Sequence, residues 1–247
     1  NPMTLFAGLG ATSAVLMLVF KDTITGLAAG VRLTSNDMLH KGDWITVKSV
    51  DANGIVEDMS LTTVKVRNFD NTIVTISPIT LVNGSFQNWI GMQKSGGRRV
   101  KRVVYFDFRS VRLVDETLKR NLLAKHFATE DSFKLKESLQ KAIDKDIQEG
   151  KDIEDLKNPA ALAPTNLQLY RKFMEKYLRQ RPEVNTDLTL MVRHMEATQC
   201  GLPIEFYFFI KDKVWVNYEH ILADIMEHAY ALANEFGLKI YEQYPEQ

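Results

Sequence analysis

The first 35 residues contain two helical patterns. Residues 3–20 carry no charged side chain, and as a helix these 18 residues would be roughly 27 Å long, close to the thickness of a bilayer's hydrocarbon core. We therefore predict a membrane span there. From Lys21 onward, apolar residues recur at Ile24, Leu27 and Val31, the spacing of an amphipathic helix. This second segment is predicted to lie along an interface rather than to cross one.

The uncharged run also contains small residues at a spacing that lets helices pack closely in a membrane. Ala7 and Ala11 are four residues apart, as are Gly10 and Ala14. The pattern leaves open whether this helix packs on other membrane helices or is a plain anchor or a buried core helix. A secretory signal is not favoured, because the first charged residues follow the apolar run instead of preceding it.

Residues 44–91 predict a small all-β domain. Short runs such as WITV, GIVEDMSL, TVKVRNF and TIVTIS are separated by turn residues. Asp70 and Asn71 tolerate left-handed backbone conformations and predict the tip of a hairpin. Pro78 is predicted to end the last of these strands. Short strands at this spacing favour a small barrel.

The rest of the chain mixes strands and helices, which indicates an α+β domain. It follows a joint at Gly96 and Gly97, and a charged, solvated helical insertion is predicted at residues 129–157. Asn166 is predicted to cap the helix that begins beside it. The predicted strands are residues 103–108, 188–195 and 204–210, and the predicted helices are residues 113–127, 167–181 and 218–236.

Composition and motifs argue against an enzyme. Lys plus Arg equals Asp plus Glu, 31 each, so no overall field favours nucleic acid. The sequence has no GxxxxGK phosphate loop, no HExxH and no Cys/His metal spacing. We therefore predict no catalytic residue, metal or cofactor, and the single cysteine, Cys200, is expected to be buried.

Two further clusters are weaker candidates for binding. His220, Asp224 and His228 share one helix face, and a solvated surface is favoured there over a metal site. The basic cluster, defined as Arg98, Arg99, Lys101 and Arg102, could contact RNA phosphates. Lipid head groups or acidic residues of a neighbouring domain are the simpler partners.

The order of these parts resembles the small-conductance mechanosensitive channel (MscS) family. The resemblance rests on LAAG in the second helical pattern and on GDWI, GIVEDMSLTTVKVRNFDN and FQNW in the β region, and it covers almost all of residues 8–247. GMQKSGGRRVKR, TNLQLYRKFMEKYL and TLMVRHMEATQCGLPIEFYFF are similar to the miniconductance branch in particular.

This resemblance implies a homoheptameric channel opened by membrane tension, which releases ions and small osmolytes on hypoosmotic shock. It implies a multi-pass protein of the bacterial cytoplasmic (inner) membrane, with lipids as partners and no nucleic acid. The implied domains are a pore-lining helix with a kinked interfacial half at residues 1–33, a small Sm-like β-barrel at 34–95, and a cytoplasmic α+β vestibule at 96–247 with a helical insertion at 129–165.

The resemblance also assigns roles along the pore helix. The constriction falls at Leu18 and Ala14, and Leu18 is the preferred seal, with Phe20 or Val15 as rivals. The pore-lining positions are Ala7, Gly10 and Ala11. The kink falls at Lys21 and Asp22, and Gly26 and Gly30 pack against the adjacent pore helix. Because Asp22 stands where relatives often have glycine, we expect it to fix the kink by polar contacts, as a cap of the helix that follows. The alternative is a membrane-tethered module that binds RNA or lipid through its β-barrel and basic cluster.

Overall fold

The computed structural model describes residues 2–134 and 163–243, and between them only positions 141, 144, 145 and 148. Most of the predicted insertion at 129–165 therefore lies outside the described residues. The chain divides into two compact units, Asn1–Lys94 and Ser95–Gln247. The observed architecture is an N-terminal apolar helix, a β-domain and a C-terminal α+β region, which confirms the predicted fold class.

The first unit begins with one long helix, α1, at Pro2–Ser35. At 1.5 Å per residue it is roughly 51 Å long. Proline is well placed in its first turn, because the N–H that proline lacks would have no intrahelical acceptor there. The helix ends as Met38 N–H donates to Leu33 O at 3.1 Å and Asp37 takes the left-handed conformation, with φ at 53°. Ala29 and Leu33 are buried at this end of the helix.

A five-stranded antiparallel sheet follows α1 and confirms the predicted β-domain. Its strand order is β4–β3–β2–β1–β5, so β4 and β5 are the edge strands. The strands are β1 Trp44–Val47, β2 Ala52–Met59, β3 Val64–Asn68, β4 Ile73–Ile76 and β5 Gln87–Asn88, with short helices α2 Pro78–Asn83 and α3 Ile90–Lys94.

The predicted hairpin tip is confirmed between β3 and β4. Asn71 has a φ of 69°, and the Asp70 carboxylate accepts hydrogen bonds from the backbone N–H and the hydroxyl of Thr72, at 2.9 and 2.7 Å. These bonds lower the pKa of Asp70. Pro78 lies in the first turn of α2, so it begins a helix just beyond the strand that it was predicted to end.

The second unit contains a three-stranded antiparallel sheet of order β6–β8–β7. Its strands are β6 Arg98–Phe106, β7 Met191–His194 and β8 Leu202–Ile210, and its helices are α4 Glu116–Ala124, α5 Asn166–Gln180 and α6 Trp215–Glu235. Alternate side chains of β8 and the inner faces of α5 and α6 form one core. Tyr170 lies in it with no exposed surface, and its hydroxyl donates to Ala229 O at 2.6 Å.

Two local predictions in this unit were wrong. The N-cap of α5 is Thr165, whose hydroxyl accepts from Gln168 N–H at 3.1 Å. Asn166 is instead a buried residue whose side-chain amide donates to Ser110 O and Phe236 O. Cys200 is exposed rather than buried, because it lies in the turn that Thr198 and Gly201 close before β8.

Candidate functional site

The membrane segment of α1 exposes large apolar side chains around its whole circumference. Six successive residues, 15–20, are at least half exposed, and Leu18 is 73% exposed. Because successive helical residues are about 100° apart, six of them encircle the axis. Residues 8–35 are long and apolar enough to span a membrane, judged by length and composition. A helix that is apolar all round requires lipid or other apolar helices around it.

The residues assigned to the pore lie on one side of this helix. Ala11, Ala14 and Leu18 are separated by three and four residues, so they share a face, and all three are exposed in the single chain. Gly10 is also exposed, and a side chain added there would meet nothing within 4 Å. Ala7 belongs to the helix, but its side chain lies outside the described residues. This face is therefore free for other copies of the chain or for an aqueous pathway.

The predicted kink falls within continuous helix. α1 runs through Lys21 and Asp22 without a break, so Asp22 occupies an interior helical position rather than that of a cap. The Thr25 hydroxyl donates to Lys21 O at 2.7 Å. A threonine bonded in this way to the carbonyl four residues earlier tends to bend a helix. Any kink here would therefore depend on Thr25 as well as on the charged pair.

The two glycines of the second helical half have different surroundings. A side chain added at Gly26 would meet nothing within 4 Å. At Gly30 an added Cβ would lie 2.8 Å from the carbonyl carbon of Leu61 and 2.9 Å from its Cα, and closer still to its carbonyl oxygen. Gly30 thus brings the helix backbone against the loop between β2 and β3. The contact is within one chain, whereas the sequence analysis placed Gly30 against an adjacent pore helix.

The loop at Leu61 is itself held by a compact set of hydrogen bonds. Ser60 N–H donates to Thr63 O at 2.8 Å, and the Ser60 hydroxyl oxygen accepts from Thr63 N–H at 3.0 Å. The backbone that faces Gly30 is therefore fixed at both ends of a short turn. Both partners lie in segments that carry the family resemblance, but nothing in the local sequence indicates that they meet, because they are far apart in the chain.

A buried carboxylate secures the connection between α1 and the sheet. Asp43 is only 6% exposed, and its side chain accepts from His40 N–H at 3.0 Å and from the Asn88 amide at 2.7 Å. The same amide contacts Met38 O at 3.3 Å. Sequence reasoning missed Asp43, although an Asp directly before a strand was a visible signal. The network links the chain leaving α1 to strand β5.

The basic cluster is part of strand β6, which begins at Arg98 rather than at the predicted residue 103. Arg98 and Lys101 have partners within the second unit. The Arg98 guanidinium lies over the ring of Tyr218 at 4.3 Å, and Lys101 Nζ lies 3.7 Å from Oε1 of the fully buried Glu205. Arg193 Nε binds the other oxygen of Glu205 at 2.6 Å. The cluster thus contributes to a charge network on the sheet, which makes it a poor phosphate site.

The remaining sequence candidates form no chemical centre. Among the residues that the structure describes, no group of three or more His, Cys, Asp or Glu side chains is placed to hold a metal. His220, Asp224 and His228 are exposed on α6, and the His228 ring nitrogen Nδ1 is 2.7 Å from the backbone oxygen of Asp224. The Nδ1 atom of His228 is therefore engaged by the backbone of its own helix.

Comparison with known proteins places the first unit in a defined family of domains. Residues 22–91 match the β-domain of the mechanosensitive ion channel family. The chain is 34% identical over 84 residues to the small-conductance mechanosensitive channel MscMJ of Methanocaldococcus jannaschii, covering 34% of this chain and 23% of that protein. It is 30% identical over 129 residues to the large-conductance channel MscMJLR of the same organism, covering 52% of this chain and 35% of that protein. The chain thus spans about a quarter to a third of these relatives.

Solved structures share the fold across both units. The match to the closed-state crystal structure of Helicobacter pylori MscS covers 100% of this chain and 73% of that chain, with a TM-score of 0.61 at 14% identity. The match to the cryo-EM structure of MSL1 from Arabidopsis thaliana covers 98% of this chain and 66% of that chain, with a TM-score of 0.64 at 10% identity. At these identities the likeness concerns the fold alone.

Proposed function

We propose that this chain is a subunit of a mechanosensitive channel of the MscS family, a pore that membrane tension opens. Channels of this family are homo-oligomers and carry out no covalent chemistry. The proposed activity is the release of ions and small osmolytes during hypoosmotic shock. One observation carries the proposal: an all-round apolar helix, exposed along its membrane segment, continues without interruption to a fixed contact with a mechanosensitive-channel β-domain.

The constriction is proposed at Leu18, with Ala14 on the same face as the wider position. Several leucine side chains that converge on an axis form an apolar constriction, which excludes water and therefore ions. Val15 and Phe20 are the rival seals, since they are also exposed on α1. Ala7, Gly10 and Ala11 are proposed to line the pore above this ring.

Tension favours the conformation that occupies more membrane area. Tilting the pore helices outward would separate the Leu18 side chains and admit water. The shift in population is limited by the free-energy difference that tension creates between the closed and open states. The Gly30 contact is proposed to transmit movement of α1 to the β-domain, because it joins backbone to backbone without an intervening flexible side chain.

The finer assignments follow the same proposal. We propose seven subunits, the miniconductance branch of the family, and a multi-pass protein of the bacterial cytoplasmic membrane with membrane lipids as partners. We propose a pore-lining and interfacial helix at residues 1–33, a β-domain at 34–95, and an α+β cytoplasmic vestibule at 96–247. The kink is proposed at Lys21 and Asp22, with Gly26 facing a neighbouring subunit.

Survival of osmotic downshock tests the activity, and mass tests the assembly. Cells that lack their own tension-gated channels should survive a sudden dilution when they produce the full-length protein, and no gain in survival would count against the proposal. In mild detergent, seven copies of this 28.2 kDa chain would contribute about 197 kDa. A monomer would favour a membrane-tethered binding module. That alternative is already weakened, because Arg98 and Lys101 of the basic cluster contact Tyr218 and Glu205.

A further inference from the structure

The second unit contains a cavity of about 260 Å³ that the proposed channel function does not use. It lies between the end of α4, the turn at Glu130–Phe133 and one side of α5. Its polar walls include Lys172, Lys176 and His126, and its apolar walls include Phe127 and Phe173. The cavity is thus lined by both cationic and aromatic side chains.

The two lysines are neighbours on one face of α5. Lys172 and Lys176 are one turn apart on α5, where like charges repel. Among the described residues, no Asp or Glu lines the cavity. The nearest carboxylates of the adjacent turn are engaged elsewhere, since Glu130 Oε2 lies 3.9 Å from Lys119 Nζ and Asp131 Oδ1 lies 2.6 Å from Lys134 Nζ. An anion in the cavity would relieve this repulsion.

His126 occupies a backbone conformation that would suit glycine better. Its φ is 58°, and it directly follows Lys125, the C-cap of α4, at the position where glycine commonly provides the left-handed turn. This conformation is strained for a non-glycine residue, and residues strained in this way cluster at functional sites. The imidazole of His126 gives the cavity a third nitrogen donor, which a glycine would not supply.

The aromatic wall is held rigidly by the core. The rings of Phe127 and Phe173 meet edge to face at 5.2 Å, and Phe173 also contacts the fully buried Phe236 at 5.7 Å. A preformed apolar surface beside a few convergent polar groups is typical of small-molecule sites. A ring or short hydrocarbon of the ligand would pack on this wall without reorganising it.

We propose that this cavity binds a small organic anion, with its phosphate or carboxylate group between Lys172 and Lys176 and its apolar part against Phe173. Thr129 and Ser132 also line the cavity; their hydroxyls are 3.2 Å apart and hydrogen-bond to each other, which leaves one hydroxyl hydrogen of the pair to donate to the same group. The proposal stands independently of the channel activity, because it uses only side chains of the second unit.

Isothermal titration of the full-length protein in detergent tests this site. The probes are phenyl phosphate, benzoate, inorganic phosphate and benzylamine. We expect phenyl phosphate or benzoate to bind more tightly than inorganic phosphate, and benzylamine not to bind. Whichever of the two aromatic anions binds more tightly identifies the preferred charged group. No heat from millimolar concentrations of either aromatic anion would overturn the proposal, and equal affinity for inorganic phosphate would overturn the role of the aromatic wall.

A matched pair of variants separates the cavity from general surface charge. Lys172→Ala with Lys176→Ala should weaken binding of the aromatic anion about fivefold to tenfold, since exposed charge pairs are individually modest. Arg120→Ala with Arg179→Ala removes the same charge from exposed positions of α4 and α5 outside the cavity and should leave the affinity unchanged. Equal weakening by both pairs would refute a defined site, and an unchanged thermal midpoint confirms that each variant is folded.

Discussion

Replacing Gly30 with alanine should loosen the junction between α1 and the β-domain, and replacing Gly26 should not. Both residues lie in the same helix, and only Gly30 faces a backbone. The Cβ of an alanine at Gly30 would lie 2.8 Å from the carbonyl carbon of Leu61, whereas an ordinary contact begins at 3.4 Å. The helix and the loop must therefore separate by at least about 0.6 Å, the difference between these two distances, and by more to clear the Leu61 carbonyl oxygen, which lies closer still. The loop cannot rotate aside easily because Ser60 and Thr63 close it by hydrogen bonds.

The expected free energies follow from two opposing effects. Alanine is favoured over glycine in a helix by about 1 kcal/mol, and this gain applies at both positions. Overpacking against an immobile neighbour costs about 1–3 kcal/mol, and it applies only at Gly30. The contact between α1 and the loop at Leu61 should therefore be about 1–3 kcal/mol less stable in the Gly30→Ala variant than in the Gly26→Ala variant.

Hydrogen exchange of the intact protein in detergent measures this difference locally. Exchange of the amides at the end of α1 and in the loop at Leu61 should be roughly 5- to 150-fold faster in Gly30→Ala than in Gly26→Ala, as the free-energy difference requires. Equal protection in the two variants would refute the claim that Gly30 is required by its contact with Leu61. Peptides of the second unit serve as the internal control, because neither residue belongs to it.

Three further predictions concern the pore, the kink and the core. Leu18→Ser should lower the tension threshold in patch-clamp recording by hydrating the constriction, and an unchanged threshold would move the seal to another ring. Thr25→Val removes the hydroxyl bond to Lys21 O and Asp22→Ala removes the charge, so each should shift the threshold, and an unchanged threshold in Thr25→Val would exclude this threonine from the kink. Burial raises the pKa of Tyr170 above its ordinary value of 10.0, so the unfolded chain loses this proton first as pH rises. The free energy of unfolding should therefore fall above pH 10 by up to about 1.4 kcal/mol per pH unit. Tyr170→Phe should reduce that slope, and an unaltered slope would exclude Tyr170 as its source.

The elements that the sequence predicted well are those with a local cause. An uncharged run long enough to cross a bilayer indicated α1, and alternating strands between turn residues indicated the β-domain. The hairpin at Asp70 and Asn71 was predictable because its geometry depends on two adjacent residues and their own side chains. In each case the determining interactions lie within a few positions of one another.

The predictions that failed depended on distant partners. Thr165 and Asn166 are both suitable N-caps, and the choice between them is made by Ser110 and Phe236, which draw the Asn166 amide into the core. Similarly, the start of β6 at Arg98 is fixed by its pairing with Ile210 of β8, so a run of charged residues that suggested a surface patch is a strand.

The candidate site was predictable only in part for the same reason. The sequence, with its family resemblance, indicated an apolar pore helix and glycines in its second half. It did not indicate that Gly30 meets Leu61, or that Asp43 binds the amide of Asn88. Both contacts join segments whose proximity is created by the fold, and no periodicity or motif in the chain encodes them.

Patch-clamp recording of the full-length protein under graded suction tests the central claim most directly. The proposed channel should show no current at rest and a conductance that appears above a reproducible tension, with Leu18→Ser opening at lower tension than the unmodified protein. An absence of tension-gated current in patches that contain correctly inserted protein would contradict the channel function.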